Sequence, residues 1–440
     1  MLLYWSSIIA GFASVVGCAY LVCATLLTDQ FPRRASRTPR RSMPKVTILK
    51  PLHGAEPGLF ENLASFCNQN YPSAVQIVLG VQDPRDDAIA IVKRLRAEHE
   101  CCHLDLIVDA TMHGLNRKVS NLINMWRHVE YEVVVVADSD MRVDPDYLSR
   151  IIAALEHPGV GAVTCLYHGL PVTGFWARLV ALGINAHFLP NVIMGLGLEL
   201  AQPCFGSTIA FKREALIQIG GFSGVADCLA DDYVIGAALR ARGYKISVSP
   251  VTIGHVCGHM SAREFWQQEV RWARTIRSVD PAGYVGSIIT HAFPLALIAA
   301  LIGIAAESFE PATALGLGTA SFGCRLALLR QVEQAFDLEP HSRWLVPLRD
   351  ILSFAVFVSS FFGRNAWWKG RRYRFVSGES WLMQGVRQSH DAHSFSSSAV
   401  IRRLRRWCGR TLSNAARGEI LLVSNLARPT GGLSRGLKAD

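Results

Sequence analysis

The run VVVVADSDMR, residues 133–142, carries four valines into two carboxylates one residue apart, Asp138 and Asp140. A β-branched run of this length reads as a buried strand, and the ends of strands are where open α/β sheets bind ligands. Three further features carry related chemistry. Asp83 ends an earlier apolar run, VQIVLGVQD, and Asp231 and Asp232 stand just before a helical stretch in LADDYVIGAAL. The stretch SAREFWQQEVRWARTIR, residues 261–277, places Gln268, Arg271 and Trp272 at i, i+3 and i+4, on one helical face. Carboxylate oxygens suit a hard divalent cation such as Mg2+ or Mn2+, an acid can serve as a general base, and a guanidinium fork suits phosphate oxygens. Each feature also has an ordinary explanation. Asp-Ser-Asp after a strand makes an Asx turn, Asp231-Asp232 makes a double helix cap, and the last stretch makes an interfacial helix with snorkelling arginines.

The elements that must position these residues follow from periodicity. KVTILKPL, VQIVLGVQD, LDLIVD and YEVVVVADSD read as buried strands. DDAIAIVKRLRAEHE, with Ile89, Val92, Leu95 and Arg96 at helical spacing, and KVSNLINMWRHV read as helices. Strand-helix alternation over 45–260 predicts an α/β domain with a largely parallel sheet. Ser261 and Glu264 form a capping box that starts a helix over 261–280.

Half of the 440 residues are apolar and 18% are charged, which points to a membrane protein. Residues 2–27 carry no charge and are long enough to cross a bilayer. Arg33, Arg34, Arg37, Arg40 and Arg41 follow, so a basic linker is expected over 29–44 and a transmembrane helix over 1–28. A second apolar region spans 281–370. GYVGSIITHAFPLALIAALIGIAAE is expected to cross and PATALGLGTASFGCRLALL to cross after it, with ILSFAVFVSSFFG too short unless it reaches back past Arg349 and Asp350. Arg371, Arg372 and Arg374 open a basic tail over 371–440, either amphipathic on the membrane or disordered. The positive-inside rule puts both basic segments in the cytoplasm. The formal charge of +10 therefore flanks apolar spans, and no nucleic-acid partner is expected. The eleven cysteines show no zinc-like spacing and read as reduced, packed thiols.

In this order, Asp83, Asp138-x-Asp140, Asp231-Asp232 and Gln268-x-x-Arg271-Trp272 resemble the signature of family-2-type, inverting, membrane-associated glycosyltransferases of GT-A fold. KPLHGAEPGLFENLASFCNQNYP, GLNRKVSNLINM, YHGLPV and CFGSTIAFKRE are similar to the ceramide glucosyltransferase branch, and within it to bacterial enzymes that glycosylate hopanoids. The resemblance covers about 45–280 and extends into the membrane segments.

It implies a UDP-sugar donor, glucose or N-acetylglucosamine, and a lipid hydroxyl as acceptor, with the hopanoid bacteriohopanetetrol first and ceramide second. It also implies a multi-pass protein of the cell inner membrane with a cytoplasmic catalytic domain. A donor diphosphate needs a divalent ion on its oxygens; Asp140 is the expected ligand, assisted by Asp138, which sits nearer the donor's ribose or uracil. The resemblance assigns the base to Asp232, though Asp231 stands where the ceramide enzymes carry Glu, which leaves either acid open. Arg271 would face the leaving diphosphate, with Gln268 and Trp272 lining the site. Lys50, Pro51, Glu56, Asp83 and Lys118 fall at nucleotide-contacting positions. His187, in GINAHFLP, falls at an acceptor position, inside an apolar region expected to dip into the membrane face. A processive polysaccharide synthase shares the aspartates but needs more crossings to enclose a pore, and a non-catalytic scaffold does not need the acids.

Overall fold

A computed structural model describes residues 1–31 and 43–363 in full and 365–368, 371–376 and 379–385 by backbone alone. The arginines of the expected basic linker and the tail beyond 385 lie outside the described residues.

An eight-stranded sheet is the platform. Strands β1 (Val46–Pro51), β2 (Val75–Val81), β3 (His103–Val108) and β4 (Val133–Ala137) run parallel in the order β3-β2-β1-β4. Strands β5 (Met141–Arg142), β6 (Val160–Pro171), β7 (Thr208–Lys212) and β8 (Lys245–Cys257) continue it as β7-β6-β8-β5. β7 is antiparallel to β4 and β6, and β5 is antiparallel to β8, so the sheet is mixed rather than largely parallel. Helical crossovers force β1–β4 to be parallel, but the hydrophobic period of a strand carries no information about which neighbours it slots between. Three further strands, β9 (Asn365–Trp368), β10 (Arg371–Val376) and β11 (Glu379–Gly385), form a separate antiparallel sheet. They fall across the junction where the sequence suggests a tail.

The four valines of β4 show why a continuous apolar run was needed. Val133 and Val135 join the core of one face with Ile48, Ile77 and Leu79, whereas Val134 and Val136 join the other with Leu49, Val78 and Phe211. Before those helices comes the N-terminal α1 (Leu2–Gln30). The first face is covered by α2 (Leu59–Cys67), α3 (Ala88–Glu98) and, after α4 (Arg117–Trp126), by α5 (Tyr147–Leu155). The second face is covered by α4. Following α6 (Phe175–Gly183) and α7 (Leu189–Gly197), it is also covered by α8 (Arg213–Gln218) and α9 (Asp231–Ala241). This is an α/β architecture, a mixed sheet covered by helices on both faces, with apolar helices at both ends.

The capping box is formed: Ser261 and Glu264 open α10 (Ala262–Val279). Beyond it come α11 (Pro281–Gly286), α12 (Ala292–Ala305), α13 (Pro311–Ala335) and α14 (Leu345–Ser360). Helix α1 packs against α12 and α13. Among the described residues, three segments are long and apolar enough to cross a membrane: Leu2–Gln30, Phe175–Gly197 and Pro311–Ala335. The expected straight crossing over 283–307 is instead bent by 66° between Pro281–Thr290 and Ala292–Ala305. Its break falls at His291, three residues before Pro294 in the first turn of α12, where a proline is tolerated because no intrahelical N–H bond is lost. Helix α14 does reach back past Arg349 and Asp350, and both are buried. The apolar 175–197 region is α6 and α7 joined by one π-helical turn, Ile184–Phe188, and most of its apolar stretch is buried within the protein. Its hydrophobicity is spent largely on internal packing.

Candidate active site

The site gathers at the ends of β1 and β4, where backbone and side chains lock two acidic motifs together. Lys50, at the end of β1, donates from Nζ to the Asp138 carbonyl oxygen at 2.9 Å and lies 3.6 Å from the centre of the Phe66 ring. Burial lowers its ammonium to about 7, against the opposing pull of Asp138 and Asp140. Pro51 completes β1. Ser139 Oγ donates to Glu56 Oε2 at 2.6 Å, so the middle residue of Asp-Ser-Asp is also anchored.

Lys118 sits in the first turn of α4, which is capped by the Asn116 side chain accepting from Val119 N. Its Nζ lies 2.5 Å from Asp138 Oδ1 and donates to the Gly206 carbonyl at 3.3 Å. Burial works against its charge, but Asp138, Asp231 and Asp232 outweigh that and hold the ammonium above its usual range. One lysine therefore draws both acidic motifs around a single charge.

Asp231 and Asp232 open α9. Asp232 Oδ2 accepts from Gly206 N at 2.7 Å and Oδ1 from Tyr233 N at 2.8 Å. Asp231 Oδ1 accepts from Asn116 Nδ2 at 3.3 Å. Burial raises both carboxyls, Asp231 to about 6, with Lys118 pulling the other way. Asn116 also bonds to Ala226 and Cys228 backbone oxygens, so the Gly114–Asn116 loop is stitched to the segment carrying the second acid pair.

Asp140 brings in a residue that the sequence reading missed. Met141 of β5 pairs with His255 of β8, and His255 Nε2 lies 3.4 Å from Asp140 Oδ2. Burial raises the Asp140 carboxyl, with His255 opposing. Asp140 Oδ1 and His255 Nδ1 are buried with no hydrogen-bond partner among the described residues. A buried carboxylate oxygen left without a partner is what a hard divalent cation satisfies, so Asp140 fits the expected ion. The only sequence signal for His255 was its place near the end of the long apolar strand VTIGHVCGH.

The α10 helix closes the cluster. The Arg271 guanidinium is lowered to about 10 by burial and is stabilised in turn by Tyr167, Asp138 and Asp140. Trp272 packs edge-on to His255 at 6.1 Å, and Tyr167 lies 5.5 Å from the same imidazole. Gln268 is half-buried one turn before Trp272. Two expected residues stand apart. Asp83 is exposed after β2, where its Oδ1 accepts from Arg85 N at 2.9 Å, so its hydrogen bonds are local rather than to the cluster. His187 lies in the π-helical turn with Nε2 2.7 Å from Asp350 Oδ1 of α14, an internal membrane-region contact.

The profile of Glycosyl transferase family 21 matches residues 9–381. Ceramide glucosyltransferase 1 of Caenorhabditis elegans is 25% identical over 54% of this chain and 50% of its own length. Ceramide glucosyltransferase 3 of the same organism is 26% identical over 66% of this chain and 63% of its own length. The chain thus spans about half to under two thirds of the length of these relatives. Among solved structures, a mannosyltransferase from Pyrobaculum calidifontis in complex with GDP-Man and Mn2+ is similar over 80% of this chain and 99% of that chain, with 21% identity and a TM-score of 0.46. With its profile matched from the first helix to β11, this chain belongs to glycosyl transferase family 21.

Proposed function

We propose that the chain is an inverting, membrane-bound glycosyltransferase that moves one sugar from a UDP-sugar to a lipid hydroxyl, with glucose on ceramide as the first reading. The observation that carries this is Lys118, which holds Asp138 within 2.5 Å while lying in the field of Asp231 and Asp232, with Arg271 in turn stabilised by Asp138 and Asp140. Such an arrangement separates acids that grip a charged donor from acids placed to take a proton.

In this reading Asp140, with Asp138 and His255, would hold Mg2+ or Mn2+, which supplies positive charge to the leaving diphosphate. Asp138 faces the nucleoside, with Lys50 fixing its backbone carbonyl and Glu56 holding the Ser139 hydroxyl between the two aspartates. Asp232 accepts the proton of the lipid hydroxyl at a carboxylate oxygen. Arg271 contacts the phosphate oxygens, while Gln268 and Trp272 wall the donor from water. Asp83 and Pro51 border the nucleoside end. His187 acts on the acceptor only through the helices that frame its entry. Residues 45–260 form the catalytic domain and α10 lies at the membrane interface. The catalytic domain is cytoplasmic, at the inner membrane of the cell.

The ceramide enzymes among the relatives favour ceramide over the hopanoid that the sequence motifs put first. The test uses detergent-purified protein with Mg2+ or Mn2+, UDP-glucose or UDP-N-acetylglucosamine, and ceramide or bacteriohopanetetrol, with products identified by mass. Glucosylceramide supports the first reading, and a glycosylated hopanoid restores the other lipid. A ladder of longer glycans would overturn single-sugar transfer in favour of a polymer synthase.

A further inference from the structure

Away from the carboxylate site, Cys67, His99 and Cys102 bring two thiols and an imidazole nitrogen within 4.8 Å of one another. Cys67 is the last residue of α2, and His99 caps the C-terminus of α3. Cys102 N donates to the His99 carbonyl at 3.0 Å, closing a turn that presents both side chains to α2. Cys102 Sγ lies 3.7 Å from the Cys67 carbonyl oxygen, so the turn is already seated on the end of α2. All three residues are half-buried, neighbouring Cys101 is exposed, and no disulfide forms among the described cysteines.

We propose that Cys67, His99 and Cys102 form a zinc site. Two thiols and an imidazole are the soft and borderline donors that Zn2+ selects, whereas the oxygen-rich Asp138–Asp140 corner suits Mg2+ or Mn2+. The two sites therefore sort metals by donor type. Ligand atoms held about 2.3 Å from one tetrahedral ion sit roughly 3.8 Å apart, so the trio closes on zinc by side-chain rotation. Each thiol that binds gives its proton to solvent as it becomes a thiolate ligand. Three protein ligands leave the fourth position to water. Sequence spacing hides the site because only His99-x-x-Cys102 is local and Cys67 arrives from another helix.

The ion would clasp α2 to the turn entering β3. Helix α2 also carries Phe66, whose ring lies 3.6 Å from Lys50 Nζ, so the clasp backs the floor of the proposed active site.

The test is the metal content of the full-length chain, purified with a non-thiol reductant, equilibrated with buffered Zn2+ and desalted. The expected result is a stoichiometric zinc ion in the unmodified chain, in Asp140→Ala and in Cys101→Ser, and its loss in Cys67→Ser and His99→Ala. Zinc absent from the unmodified chain, or lost in Asp140→Ala and kept in Cys67→Ser, overturns the site. So does a Cys67–Cys102 disulfide seen by mass in protein isolated without reductant. Should the cysteine variants fail to fold, Co2+ loading of the unmodified chain decides. A thiolate-to-cobalt charge-transfer band supports the site, and a purely oxygen-ligand spectrum overturns it.

Discussion

His255 stands with Nε2 3.4 Å from Asp140 Oδ2 because the two-residue strand β5 pairs with the far end of β8, setting Met141 opposite His255. In the proposed metal site the imidazole would either join the ion's ligands or orient the carboxylate that does. Groups in that position typically change metal affinity by roughly 10- to 100-fold. His255→Ala is expected to raise the Mn2+ concentration for half-maximal transfer by that factor. Asp140→Ala is expected to remove metal-dependent UDP binding. A metal titration of transfer, with UDP binding measured in parallel, checks both; an unchanged half-saturation in His255→Ala removes the histidine from the site.

Asp232 and Asp231 differ in what holds them. Asp232 is fixed by two backbone N–H groups, from Gly206 and Tyr233, whereas Asp231 leans on the Asn116 side chain. A rigidly aimed carboxylate is the better base, since a proton acceptor must be placed before its pKa matters. Asp232→Asn is expected to lower transfer by about 10²- to 10⁴-fold with UDP-sugar binding retained. Asp231→Asn is expected to lose less. The reverse order of losses would move the base to Asp231.

The raised acids also set a pH limb. Burial lifts Asp231 to about 6 and Asp232 in the same direction, so each is protonated at a higher pH than an exposed aspartate. The proton-accepting form is lost as pH falls. Turnover at saturating substrate is therefore expected to fall towards low pH, approaching tenfold per pH unit, from a point above the ordinary aspartate range. A kcat–pH profile checks this. A decline that starts only in the ordinary carboxylate range, near pH 4, would mean these acids are not the limiting base.

The strand ending in Asp138 and Asp140 was legible because a five-residue β-strand buried on both faces must be apolar throughout, and the acids break that pattern abruptly. The α10 start was legible because a capping box is local chemistry. His255 was not: its partner lies across an antiparallel pairing that no local period reports. The antiparallel insertion of β7 was hidden for the same reason. The apolar 175–197 segment shows a different failure. Its composition fits lipid or core equally, and only packing against β6 and the later helices distinguishes them. Cys67 illustrates the third case, in which a residue acquires possible ligand partners only once α2 and α3 lie side by side.

Arg349 and Glu269 tie α10 to α14. Arg349 Nη2 donates to Glu269 Oε2 at 2.6 Å, both side chains are under a tenth exposed, and the Arg349 guanidinium lies 5.4 Å from the Phe265 ring. Glu269 follows Gln268 directly and precedes Arg271 by two residues, so the pair anchors the helix that presents Arg271 and Trp272. Breaking a buried ion pair by removing one partner costs about 3–5 kcal/mol because the other charge stays buried. Arg349→Met and Glu269→Leu are each expected to lower the thermal midpoint in detergent and to raise KM for the UDP-sugar more than they lower kcat. The double variant should regain much of the lost stability, since no lone charge remains, but not the KM, since α10 still lacks its tether. A KM that recovers together with stability would reduce the pair to a purely structural contact, and kcat falling alone would place its effect on chemistry rather than on donor placement.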